Sequence, residues 1–161
     1  MTADTAAQSS PRPENPSPGD ARALVELWRA SSASEKAYRH AVEAVDSEPF
    51  RFSLGDMLER HRQLSSWLAD EIRARGIDTP EADSFWGNVL VFLERIGAAV
   101  GQRACLSVLQ AGEIQSLKQA RSLVEDVSDG DLARWIEEEW VSAVEENRGE
   151  LDSMLYALWT T

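Results

Sequence analysis

The chain has 161 residues, of which 43% are hydrophobic and 27% charged, and this is enough for one domain with its own core. The formal net charge of −12 does not suit binding to nucleic acid or to an anionic membrane surface, so we expect neither partner. The single Cys105 cannot form an internal disulfide, and residues 1–20 lack the features of a secretory signal. We therefore expect a cytoplasmic protein.

The chain divides into a tail and a helical domain. Residues 1–19 hold four of the six prolines and little that could be buried, so we expect them to be disordered, with residues 20–161 forming the domain. Beyond the tail, apolar residues recur at steps of three and four, which is typical of helix faces. The pattern predicts helices at about 20–45, 49–76, 84–100, 102–127 and 131–159.

The lengths of the connections predict the topology. The first two helices are joined by a short connection, and so are the last two, so each pair should form an antiparallel hairpin. The connection between the hairpins is long and contains the short helix at 84–100, which is rich in large apolar side chains. The chain is therefore predicted to be an all-α, four-helix bundle with one long crossover.

Each long helix carries one polar or charged residue inside its apolar stripe. These residues are Glu35, His61, Glu113 and Arg148. Ionisable groups avoid helix-bundle cores unless they are paired or bound to metal. Four of them at a comparable depth predict one shared site, to which Glu145 can add because it lies one turn before Arg148 on the same side of the helix.

Two kinds of site are compatible with these residues. Carboxylates and a neutral imidazole can bind a divalent ion, either iron or manganese, which makes Glu35, His61, Glu113 and Glu145 the candidate metal ligands. Arg148 offers only hydrogen-bond donors and cannot bind metal, but it could replace the metal by ion pairing with the carboxylates. A third reading is that the glutamates lie on helix surfaces and His61 is an ordinary core histidine.

Two segments carry a resemblance to a known family. Residues 34–39 (SEKAYR) and 112–118 (GEIQSLK), together with the Trp-containing crossover between them, resemble small bacterial ferritin-like proteins of unknown function, distant kin of rubrerythrin and bacterioferritin. The resemblance covers about residues 24–158 and implies a ferritin-like four-helix bundle.

The resemblance also implies a ligand set. In the wider ferritin-like group, two helices each give a Glu to a di-metal centre, and the other two each give Glu-x-x-His. Carried over by position, the residues that match this set are Glu35, His61, Glu113 and Glu145. The two remaining positions hold Leu58 and Arg148, neither of which binds metal.

Two functions follow from this partial set. The first is a ferritin-like bundle with a degenerate site that is non-catalytic and acts through association, as a homodimer or with another protein, or in a stress response. The candidate association residues are exposed aromatics among Trp67, Trp86, Trp135 and Trp159. The alternative is an iron- or manganese-binding protein with a mononuclear or divergent di-metal site and oxygen or peroxide chemistry.

Overall fold

A computed structural model of the chain describes residues 15–79 and 101–160, and all regular secondary structure in those ranges is helical. The predicted short helix at 84–100 and residues 1–14 of the predicted tail lie outside the described residues. Helix α1 spans Pro18–Ala44, α2 spans Glu48–Ala74 and α3 spans Gln102–Val124. Helix α4 covers residues 130–157 in three segments, which are α-helical Gly130–Trp135, π-helical Ile136–Val141 and α-helical Ser142–Ala157.

The four helices form the predicted bundle. Three residues join α1 to α2, and five join α3 to α4, so each pair is the antiparallel hairpin that the sequence indicates. Helix α1 also packs against α3, which joins the two hairpins, and α2 contacts α4 least of all the neighbouring pairs. Among the helices of the described ranges, none is long and apolar enough to cross a membrane.

The core consists of two apolar clusters along the bundle axis. One surrounds Trp140 and includes Leu24, Leu68 and Leu117. The other surrounds Leu54 and includes Leu106 and Leu151, among others. Between the two clusters lie three buried polar residues, His61 of α2, Glu113 of α3 and Asn147 of α4, and the hydroxyl of Tyr38 from α1 reaches the same level by a hydrogen bond to Glu113. The bundle therefore has a polar layer across the middle of its core.

The π-helical segment of α4 sets which residues of that helix face the core. A π-turn closes hydrogen bonds from residue i to i+5 and so absorbs one residue more than an α-turn. The buried residues accordingly follow one another at three successive steps of four, from Leu132 through Ile136 and Trp140 to Val144. The last of these steps leads into the α-helical segment that carries Asn147 into the polar layer.

Asp20 connects the start of α1 to the turn between α3 and α4 by hydrogen bonds. Its carboxylate accepts hydrogen bonds from the backbone N–H of Ser128 at 2.8 Å and of Asp129 at 3.2 Å. Burial alone would raise the pKa of Asp20, but these hydrogen bonds outweigh it and lower the pKa below its ordinary value. Asp129 in turn caps α4 by accepting from the N–H groups of Asp131 and Leu132.

At the same end of the bundle, position 19 has no space for a side chain. A Cβ added there would lie 1.9 Å from the backbone oxygen of Asp126. We expect Gly19→Ala to lower the free energy of unfolding by about 1–3 kcal/mol, as overpacking against backbone does. At Gly55, also within a helix, an added Cβ meets nothing within 4 Å, so Gly55→Ala should instead stabilise by up to about 1 kcal/mol. Urea denaturation of both variants measures the difference, and a loss of equal size in both would contradict the close approach.

The contribution of Asp20 to the stability of the fold should decrease in acid. Because the folded-state pKa is lowered, its stabilisation is present above the unfolded-state pKa of about 3.9 and is lost as the pH falls through the folded-state value. We expect Asp20→Asn to lower the free energy of unfolding by about 2 kcal/mol at neutral pH. In acid, the difference in stability between the variant and the wild type should disappear. Thermal unfolding from pH 7 downward measures this difference. The exposed Asp78→Asn is the control, and a difference that persists unchanged in acid would be evidence against the ionised hydrogen bonds.

Candidate functional site

Four side chains, one from each helix, meet in the polar layer. They are Tyr38 from α1, His61 from α2, Glu113 from α3 and Asn147 from α4, and each is at most 1% exposed. Each lies among buried apolar residues of its own helix, so the helical periodicity that buries the leucines also carries these groups inward. The layer is therefore a site assembled by the whole bundle.

The side chains converge on one oxygen of Glu113. Its Oε1 accepts a hydrogen bond from the Tyr38 hydroxyl at 2.5 Å and from Asn147 Nδ2 at 3.2 Å. His61 Nε2 lies 2.9 Å from the same oxygen, and because an ionised carboxylate only accepts, the histidine donates here. The second oxygen, Oε2, and His61 Nδ1 are buried and have no hydrogen-bond partner among the described residues.

Tyr38 remains protonated in this environment. Burial raises the pKa of its hydroxyl well above the ordinary value, and the negative charge of Glu113 raises it further. A phenol that keeps its proton is a permanent donor to the carboxylate. The Tyr38 oxygen is therefore committed to Glu113 over the whole neutral pH range.

Arg60 orients the amide of Asn147 from the outer side of the layer. Its Nη1 donates to Asn147 Oδ1 at 2.7 Å and to Glu150 at 2.8 Å, and its Nη2 lies 3.0 Å from a carboxylate oxygen of Glu146. With Oδ1 held by the guanidinium, the Nδ2 group of the amide must face Glu113. A chain of polar contacts thus runs from the surface carboxylates to the centre of the bundle.

The structure brings together only two of the four predicted metal ligands, His61 and Glu113. Glu35 is half-buried one turn before Tyr38, and its carboxylate makes no hydrogen bond to either residue in the described structure. Glu145 lies on the surface, with its side chain 51% exposed, and pairs with Arg121 at 2.7 Å. Within residues 15–79 and 101–160, no three His, Cys, Asp or Glu side chains are grouped so that they could hold a metal ion.

The expectation that Arg148 occupies the core of α4 is wrong. Its side chain is 46% exposed, and its guanidinium lies 4.0 Å from the neighbouring surface residue Asp152. The buried polar residue of α4 is Asn147, one position earlier. One residue corresponds to about 100° around a helix, so a shift of one position moves a side chain from the core to the surface.

Asn147 and Tyr38 are not among the predicted site residues, although the sequence carries a signal for each. Asn147 lies three residues after Val144 and four before Leu151, which is a core position by helical spacing. Tyr38 belongs to the apolar stripe of α1, and because a tyrosine in such a stripe also fits an ordinary core position, the sequence does not mark its hydroxyl as a donor. Neither residue type is a usual metal ligand, so neither belongs to a ligand set predicted from residue type.

Comparison with known proteins supports the fold. The chain is similar to a crystal structure of ferritin-like, diiron-carboxylate proteins from Bacillus anthracis strain Ames, with a TM-score of 0.66 and 16% identity over 84% of this chain and 94% of that chain. No protein-family model and no curated protein matches the sequence. At this level of identity the similarity confirms a ferritin-like bundle, and the site has to be judged from its own residues.

The raised pKa of Tyr38 predicts how the protein behaves in alkali. Because the folded state keeps the proton beyond the unfolded-state pKa of about 10, stability should fall as the pH rises above that value. In a Tyr156→Phe variant, Tyr38 is the only remaining tyrosine. We expect its phenolate absorbance to appear only together with loss of the helical circular dichroism signal. Phenolate absorbance in a protein that is still fully helical would contradict the buried hydrogen bond to Glu113.

Proposed function

We propose that this protein is a ferritin-like bundle in which a hydrogen-bond network replaces the di-metal centre, and that it acts through association and not through catalysis. The observation that carries the proposal is the saturation of Glu113 Oε1 by Tyr38, His61 and Asn147, one donor from each of the other helices. A buried carboxylate that accepts several hydrogen bonds is stabilised as an anion without a metal.

The donor set does not fit a di-metal centre. Such a centre takes one Glu from each of two helices and Glu-x-x-His from each of the other two. Here the converging groups include a single carboxylate, on Glu113, and a single imidazole, on His61, while Tyr38 and Asn147 direct hydrogen-bond donors at the carboxylate. A metal ion in the layer would have to displace those donors and would leave them unpaired in the core, at a cost of about 1–3 kcal/mol each.

The surface supports a role in association. Phe52 is 74% exposed, Tyr156 is 71% exposed and Trp159 is 73% exposed, all three near the end of the bundle where α2 begins and α4 ends. Exposed aromatic side chains are common at protein–protein interfaces. Trp67 and Trp135, which the sequence also offers as contact residues, stack on each other with ring centres 3.7 Å apart and are less available.

A second candidate is the binding of one iron or manganese ion. It is favoured by Glu113 Oε2 and His61 Nδ1, two buried polar atoms that lack a partner in the described part of the chain. Glu35 and Glu145 could complete the ligand set only after rearrangement, because Glu145 would have to leave Arg121 and turn inward. Oxygen or peroxide chemistry would require an open coordination position on such an ion.

Metal analysis decides between the two candidates. We expect protein purified under anaerobic conditions to contain far less than one metal ion per chain and to leave added ferrous ion unbound in a titration. A Tyr38→Glu/Asn147→Glu double variant is the positive control, since it replaces two hydrogen-bond donors with carboxylates in the same layer.

The opposite result would be equally clear. Near-stoichiometric iron or manganese that is lost in Glu113→Gln would overturn the proposal and establish the single-ion site. The additional loss of that metal in Glu35→Ala would show that helix α1 supplies a ligand. Circular dichroism of each variant separates loss of a ligand from loss of the fold.

A further inference from the structure

A surface groove lies between α2 and α4, the pair of neighbouring helices with the fewest contacts. It has a volume of about 490 Å³. Its lining combines apolar and small side chains from both helices, including Pro49, Phe50, Ser53, Gly149, Ser153 and Ala157. The groove is therefore mainly apolar and open to solvent.

The floor of the groove can accept another helix. Gly149, Ser153 and Ala157 recur every four residues on α4, so three small side chains lie along one ridge of that helix. A Cβ added at Gly149 meets no atom of the protein within 4 Å. Small residues at the contact let two helix axes approach closely, and an apolar groove of this kind is how an amphipathic helix is bound.

The negative charge of the groove favours a basic partner. Glu146 and Glu150 line it, and Arg60 contacts both, which leaves two carboxylates facing one guanidinium. Although it pairs with Arg60, the side chain of Glu146 is 60% exposed, so it can contact a second cation from solvent or from a partner. The whole chain carries a net charge of −12, so a second copy would bring a similarly acidic surface, whereas a basic helix would be attracted.

We propose that the α2–α4 groove binds a basic amphipathic helix of a partner protein, with its apolar face on Gly149 and Ser153 and with lysine or arginine side chains directed at Glu146. This inference names a class of partner for the associative function proposed above, and it rests on that function. It does not depend on the polar layer being free of metal, so the two proposals can fail separately.

A designed peptide tests the groove. The probe is a fluorescein-labelled, 18-residue synthetic helix with alanine and leucine on one face and lysine on its flanks, and its partner probe has glutamate in place of each lysine. By fluorescence anisotropy, we expect the lysine peptide to bind at least about tenfold more tightly than the glutamate peptide, with affinity that falls as salt is added.

Two variants place the binding in the groove. Gly149→Leu fills the groove and should weaken binding of the lysine peptide at least about tenfold. Gly55→Leu is the matched control, because Gly55 is also a helical glycine with open space around it but does not line the groove. The Gly55→Leu variant should bind the lysine peptide as tightly as the wild type does. Glu146→Lys should weaken the lysine peptide and strengthen the glutamate peptide.

Three outcomes would overturn the proposal. These are no binding of the lysine peptide, equal binding by Gly149→Leu and the wild type, or equal binding of the two peptides. Sedimentation equilibrium gives a fourth: a wild-type dimer that Gly149→Leu converts to a monomer would show that the occupant is a second copy. The ferrous titration above is read separately, so a failure of the groove leaves the result for the polar layer intact.

Discussion

The structure depends on how one buried carboxylate is satisfied. Glu113 is 1% exposed at the middle of the bundle, where an ionised group without partners would cost far more than a single protein domain can tolerate. It is stabilised by Tyr38, His61 and Asn147, which come from the three other helices. Because all four helices contribute, the network can form only when the helices are aligned with one another along the axis.

This requirement explains features that lie outside the polar layer. Asn147 can donate to Glu113 because Arg60 holds the other end of its amide. It faces inward because the π-helical segment of α4 brings Trp140 and Val144 onto the core face, and Trp140 is itself fixed by a hydrogen bond to Ser31 at 3.0 Å. The π-helical segment and the half-buried Arg60 therefore both determine the position of the Asn147 amide.

The ferritin-like fold can carry different chemistry because a few inward side chains determine what its core binds. A ferritin-like bundle places a few inward side chains from four helices at one level, and their identities decide whether a metal or a set of hydrogen bonds holds the level together. In this chain the tyrosine and the amide turn donors toward the one carboxylate, which supports a structural role for the layer. The acidic groove and the exposed aromatics then place the proposed associative function on the surface of the bundle.

The sequence by itself determined the four long helices, the two hairpins and the positions of His61 and Glu113 on apolar helix faces, because apolar residues at steps of three and four define a helix face. It could not decide between Asn147 and Arg148, nor place Glu145 on the surface beside Arg121. Neighbouring positions differ by about 100° around the helix, and a π-turn adds a residue that periodicity does not reveal. Only the packing of α4 against the other helices decided which of the two side chains reaches Glu113, since that choice depends on contacts between residues far apart in the chain.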